Sequence, residues 1–124
     1  MPVNPSPPRA WVAPWLLGVA ALHTLFGAVV FGPVLRQLWQ GGVFNTVGAD
    51  PLRGAVVWFL MFGVPLALLA RAIAPLERQA DAGPVLRQLG WGLLVLGLAG
   101  VALMPASGFW LTFPPAIGLL RRHA

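Results

Sequence analysis

The sequence predicts an all-α protein, a four-helix transmembrane bundle with a short interfacial helix between its first and second spans. Three observations predict it. The chain is 58% hydrophobic and 9% charged over 124 residues, with a mean hydropathy of +0.80, a composition too apolar for a soluble domain of this size. Its apolar residues gather in long runs, the first of which, residues 11–31, extends as a helix to about 31 Å, the thickness of a bilayer's hydrocarbon core. The formal charge of +5 comes from eight arginines against Asp50, Glu77 and Asp81, and the arginines fall at the ends of the apolar runs, where they orient spans. Nucleic acid calls for basic residues massed on one face, so no nucleic-acid partner is expected. Cysteine is absent, which removes disulfides, thiolate catalysis and sulfur-bound metals.

Residues 1–10 are rich in proline and read as a flexible tail ahead of a single transmembrane domain over 11–122. A secretory signal competes for the start of that domain, with Arg9 as its charged head. The apolar run continues to Phe31, longer than a signal's apolar stretch, so a span is expected. Gly32-Pro33 then stops the helix. Residues 34–40 form an interfacial helix with Val34, Leu35, Leu38 and Trp39 on one face and Arg36, Gln37 and Gln40 on the other. Gly41-Gly42 breaks it, and a mixed loop leads to Asp50-Pro51, an N-cap followed by proline at the first helical position, which opens the second span over 52–73.

Pro65 lies within that span and predicts a kink in the turn of Met61 and Phe62. Arg71 reaches for the interface by snorkelling. Residues 74–84 are the one strongly polar stretch and read as an aqueous loop carrying Glu77 and Asp81. The third span, 85–104, carries Gly90, Gly92, Gly97 and Gly100, residues that let helices approach closely. The last apolar segment, 107–120, reaches only about 21 Å as a helix. It is either a short crossing kinked at Pro114-Pro115 or a re-entrant segment, and a crossing is expected because Arg121-Arg122 makes a good cytoplasmic end. Four crossings put Arg9, Arg71, Arg78, Arg87, Arg121 and Arg122 on one side and Arg36 and Arg53 on the other, which predicts an inner-membrane protein with both termini cytoplasmic. The heptapeptide Gly32–Leu38 recurs in identical form as Gly83–Leu89; its flanks do not align, and it reads as two interfacial caps rather than a duplicated domain.

An ionisable side chain at membrane depth is a candidate for function. Ala20 and Gly27 share the helical face of His23 and turn it toward the bundle. The plainer reading is a neutral imidazole that donates one hydrogen bond across helices and fixes packing. His123, the other histidine, falls in the terminal tail, so no two-histidine haem or zinc site is expected. Asn45, Thr46, Arg53, Ser107 and Trp110 gather at the outer mouth of the predicted bundle, and with His23 they form the candidate ligand-binding set. The plainer account makes Asn45 and Thr46 turn formers, Arg53 an anchor and Trp110 a belt aromatic. No carboxylate lies inside a span, so proton-coupled exchange and paired-acid catalysis lack their essential group. No catalytic residue, cofactor or metal is assigned.

His23-Thr24 followed by Gly27, Val43-Phe44-Asn45-Thr46, Trp58 to Gly63, and Met104 to Trp110 with Pro114-Pro115 together resemble an uncharacterised family of small bacterial four-span integral membrane proteins. The resemblance covers residues 15–120. It implies fold and membrane location and carries no chemistry. The expected role is therefore binding or accessory, toward a lipophilic small molecule or a membrane-protein partner in the lipid bilayer, and a homo-oligomer stays open. The alternative is a membrane-embedded enzyme or carrier for a lipophilic small molecule using His23 and the outer polar cluster. A small oligomeric transporter is a weaker third class, because the spans hold no charge to couple to.

Overall fold

The buried positions of the long helices follow one rule. In the computed structural model, which describes residues 9–122, the helix Gly83–Leu103 buries Gly83, Leu86, Gly90, Leu93, Gly97 and Gly100, alternating steps of three and four residues. The helix Pro51–Leu76 does the same through Gly63, Leu66, Ala70 and Ile73, with Val56 one heptad earlier. The helix Val12–Val30 does so through Ala13, Leu16 and Ala20 and resumes at Gly27. This is a heptad spacing, the pattern that left-handed helix packing uses, and its narrow stripe leaves the remaining faces apolar but uncovered.

The element order is α1 (Val12–Val30), α2 (Gly32–Gln40), α3 (Pro51–Leu76), α4 (Gly83–Leu103), a 3-10 turn (Gly108–Thr112) and α5 (Phe113–Leu120), with no strand among the described residues. Helices α1, α3 and α4 are long and apolar enough to cross a membrane, and Gly108–Leu120 forms a shorter apolar helical segment. Helix α1 packs along α3, α4 packs along the 3-10 turn and α5, and α1 touches α5 to join the two pairs. Leu16, Ile73, Leu86 and Leu119 are fully buried where they meet.

Small residues set the close approaches. Gly27 lies against Phe59 and Leu60, Gly63 against Thr24, Gly90 against Ala116 and Leu119, Gly97 against Thr112 and Phe113, Gly100 against Phe109, and Gly118 against Trp11. A methyl group at any of these would meet its neighbour at or below van der Waals distance, so the glycines are what lets the seams close. Gly92 faces open space, and the expectation that all four α4 glycines serve helix contacts is corrected there.

Four local features depart from the sequence expectations. Helix α2 begins at Gly32, directly after Phe31, because proline is tolerated in a first turn, and the repeated heptapeptide opens α4 at Gly83 in the same way. On α2, Leu38 is buried while Trp39 points outward, 77% exposed, so the apolar face is split. Helix α3 runs past the expected end at residue 73 to Leu76, with Pro75 as well as Pro65 inside it. Pro114 and Pro115 stand in the first turn of α5, where a missing N–H breaks no helical bond, so they open that helix instead of kinking its middle. The proline-rich tail expected over residues 1–10 lies outside the described residues except for Arg9 and Ala10.

Candidate functional site

Half-buried His23 falls in the gap of the α1 seam, three residues after Ala20 and four before Gly27. Across from it, Phe59 occupies the corresponding gap of α3, three after Val56 and four before Gly63. His23 Nε2 bonds to the backbone carbonyl of Phe59, and since a carbonyl only accepts, Nε2 carries the proton. The imidazole stacks on the Phe59 ring with centroids 4.1 Å apart and planes inclined by 23°, and Phe62 meets it edge-on at 5.7 Å. Thr24 donates from Oγ1 to the Ala20 carbonyl one turn back at 2.9 Å and rests against Gly63. Both polar side chains at mid-helix are thus engaged in the α1–α3 contact.

The loop before α3 is held by its own residues. Asp50 caps α3 by accepting from the backbone N–H groups of Leu52 at 2.9 Å and Arg53 at 3.3 Å, with Pro51 in the first helical position. Arg53 Nη1 donates to the Thr46 carbonyl at 2.8 Å, and its Nε lies 3.6 Å from Asp50 Oδ2. Thr46 Oγ1 donates to the Val43 carbonyl at 2.8 Å. The backbone takes left-handed values at Gly42, Val43, Asn45 and Gly48, with φ of 88°, 67°, 54° and 53°. Asparagine tolerates that region, but a β-branched valine does so only under strain. Between Val43 and Asn45 the side chain of Phe44 stands 92% exposed.

Of the six candidate residues, Thr46 and Arg53 are therefore in contact, with Asp50 as a third member that the sequence reading left out. Asn45 is exposed in the same loop. Ser107 and Trp110 serve their own turn: Ser107 Oγ accepts from the Phe109 N–H at 3.4 Å, and Trp110 Nε1 donates to the Pro105 carbonyl at 2.8 Å. No hydrogen bond among the described residues joins Ser107 or Trp110 to Asn45, Thr46 or Arg53, or any of the five to His23.

The strongest polar constellation lies at the opposite end, on Glu77. Four N–H groups at a helix start lack intrahelical partners, and in α1 those after the N-cap, at residues 12–14, can be accounted for one by one. Trp11 offers no side-chain cap. The Val12 and Ala13 N–H groups donate to the Glu77 carboxylate at 3.2 and 2.6 Å. Pro14 has no N–H to satisfy, and from Trp15 onward the helical bonds begin, its N–H reaching the Trp11 carbonyl at 3.1 Å. Arg122 completes the node: its Nη2 donates to Glu77 Oε2 at 2.6 Å and to the Arg9 carbonyl at 3.0 Å, and its Nη1 to the Glu77 carbonyl at 3.2 Å. The Glu77 side chain is wholly buried and that of Arg122 only 9% exposed.

The reading of 74–84 as an aqueous loop is thus corrected for Glu77, while Arg78 and Asp81 in the same stretch are exposed. A sequence signal for its burial exists. Steps of four and three from Gly63 through Leu66, Ala70 and Ile73 land next on position 77, so the acid continues the α3 seam. A buried carboxylate persists only when paired and hydrogen-bonded, which the start of α1 and Arg122 beyond α5 supply here. His123 lies outside the described residues, and among those described no three His, Cys, Asp or Glu side chains gather as a metal site.

Outward-facing leucine, valine and phenylalanine cover the long helices, with Leu25, Val29, Val64, Leu68, Val95 and Leu98 all more than half exposed. An all-helical chain with three helices of membrane length and such a surface has the build of a small helical membrane protein. The chain belongs to a family of unknown function, DUF6463, which matches residues 7–124. No curated protein and no solved structure matches it significantly.

Proposed function

We propose that this is an integral protein of the bacterial inner membrane that crosses it four times, with both termini in the cytoplasm, and that its role is to bind a lipophilic ligand or a membrane-protein partner rather than to catalyse a reaction. The fourth crossing is supported by the course of the last segment. It runs back along α4 from the Phe109–Gly100 contact to the Leu119–Gly90 contact, and Arg122 returns to Glu77 and Arg9 beside the start of α1. Its 3-10 turn, with a rise of about 2.0 Å per residue, lengthens a segment otherwise short for a span. Orientation is supported by arginine: six of the eight belong to the Glu77 end and only Arg36 and Arg53 to the other.

One observation carries the binding reading. Five of the six candidate side chains make bonds within the protein, His23 to Phe59 across two helices and, locally, Thr46 to Val43, Arg53 to Thr46, Ser107 to Phe109 and Trp110 to Pro105. What remains turned outward at the Arg53 end is largely apolar and rich in aromatics: Trp39, Phe44, Trp58 and Trp110, with Val43, Leu52 and Leu103 beside them. Purification from native membranes in native-lipid particles, followed by mass spectrometry, tests this. The expected result is a protein or lipophilic molecule co-eluting in fixed ratio and retained by His23→Ala. Bulk lipid alone contradicts the binding role, and a non-lipid molecule lost in His23→Ala favours the enzyme or carrier reading. A C-terminal tag accessible only from outside the cell contradicts the topology.

A further inference from the structure

Between the first turns of α1 and the last turns of α3 runs an open cleft of about 350 Å³, lined by Ala13, Pro14, Leu17, Ala70, Arg71 and Ala74. Its walls are aliphatic, and the three alanines keep side-chain bulk out of it. Its single charge is Arg71, which is exposed and stands outside the two ion pairs found among the described residues, Arg53 with Asp50 and Arg122 with Glu77. The acid at this end of α3 is already engaged: Glu77 accepts from Val12, Ala13 and Arg122. No acid among the described residues lies within ion-pair distance of Arg71, which leaves its charge available to a group from outside the chain. The surroundings favour an anion, since six arginines and only two acids, Glu77 and Asp81, belong to this end.

We propose that the cleft holds an acyl chain of one anionic phospholipid whose phosphate sits on the Arg71 guanidinium. This rests on the membrane-spanning reading above. Arg71 lies six residues before the helix end at Glu77, about 9 Å along the axis, a depth from which an arginine side chain reaches the headgroup layer while its stem lies along apolar surface. An aliphatic slot beside a lone cation fits a lipid that brings both an alkyl chain and a negative charge, and basic residues at an anionic membrane surface attract such lipids.

Native mass spectrometry of the full chain, titrated with phosphatidylglycerol or with phosphatidylcholine of identical acyl chains, tests the site. The expected result is one phosphatidylglycerol retained about fivefold more strongly than phosphatidylcholine, a preference lost in Arg71→Gln, which removes one interfacial arginine. Arg71→Lys keeps the preference, as does Arg78→Gln, which removes an exposed charge at the same end but off the cleft. Equal losses in Arg71→Gln and Arg78→Gln overturn the proposal in favour of diffuse charge, equal retention of the two lipids overturns it outright, and a lipid-free dimer gives the cleft to a second copy of the chain. Failure of the membrane reading shows separately, as release of the chain from membranes by alkaline carbonate.

Discussion

The two ends of the molecule are both fastened by an arginine and an acid, yet they are fastened differently. At the Glu77 end the bonds join residues 45 to 113 positions apart, tying the start of α1, the end of α3 and the tail of the chain into one buried node. At the Arg53 end they join residues two to seven positions apart, and the Arg53–Asp50 pair is 36% and 48% exposed. Similar residue chemistry thus does long-range work at one end and local work at the other. A bond between distant segments holds tertiary structure, whereas a bond within a turn only shapes that turn. The locked end ties distant helices together, and the locally held end leaves aromatic side chains exposed.

The largest break in this comparison comes from Arg122→Ala. It leaves the Glu77 carboxylate buried without its cation and is expected to cost about 3–5 kcal/mol of stability, measured by reversible unfolding in detergent. The double change Glu77→Met with Arg122→Met sharpens the reason. It removes the buried charges together but strips the Val12 and Ala13 N–H groups of their acceptor, so it recovers part of the loss and stays about 1–3 kcal/mol below the parent.

Gly118→Ala drives a methyl group into the Trp11 ring at the locked end and is expected to destabilise by about 1–3 kcal/mol through overpacking. Gly48→Ala, in open space but at φ of 53°, loses about 1–2 kcal/mol through backbone strain alone. Compensating Trp11→Leu relieves the first and leaves the second untouched. Smallest is Asp50→Ala, which removes the cap of α3 and the exposed partner of Arg53. It is expected to cost about 1 kcal/mol and to raise hydrogen exchange in the first turn of α3 without altering that of α1.

Hydropathy alone makes the long helices legible, because a narrow seam requires the rest of each helix surface to be apolar as well. Asp50-Pro51 is legible for the same kind of reason, since cap and first-turn proline act within a few residues. The face of His23 follows from Ala20 and Gly27, but its partner does not. Phe59 is reached only when the register between α1 and α3 is known, and register is a tertiary property. For the same reason sequence does not give the relation between the two halves of the outer set: Thr46 and Arg53 meet beside α3, while Ser107 and Trp110 belong to the turn after α4, and no hydrogen bond among the described residues joins them. Glu77 was legible by phase and hidden by composition: its neighbours Arg78, Gln79 and Asp81 are polar and exposed, and only the heptad count from Gly63 separates it from them.

The contrast between the ends is tested most directly by hydrogen exchange at four capped amides in the intact chain. If Glu77 closes a buried node, the Val12 and Ala13 amides exchange as slowly as amides at the middle of α1, the exposed Leu52 and Arg53 amides exchange far faster, and Arg122→Ala brings the first pair up toward the second. Val12 and Ala13 amides that already exchange at the rate of Leu52 and Arg53 in the unaltered protein would contradict the account.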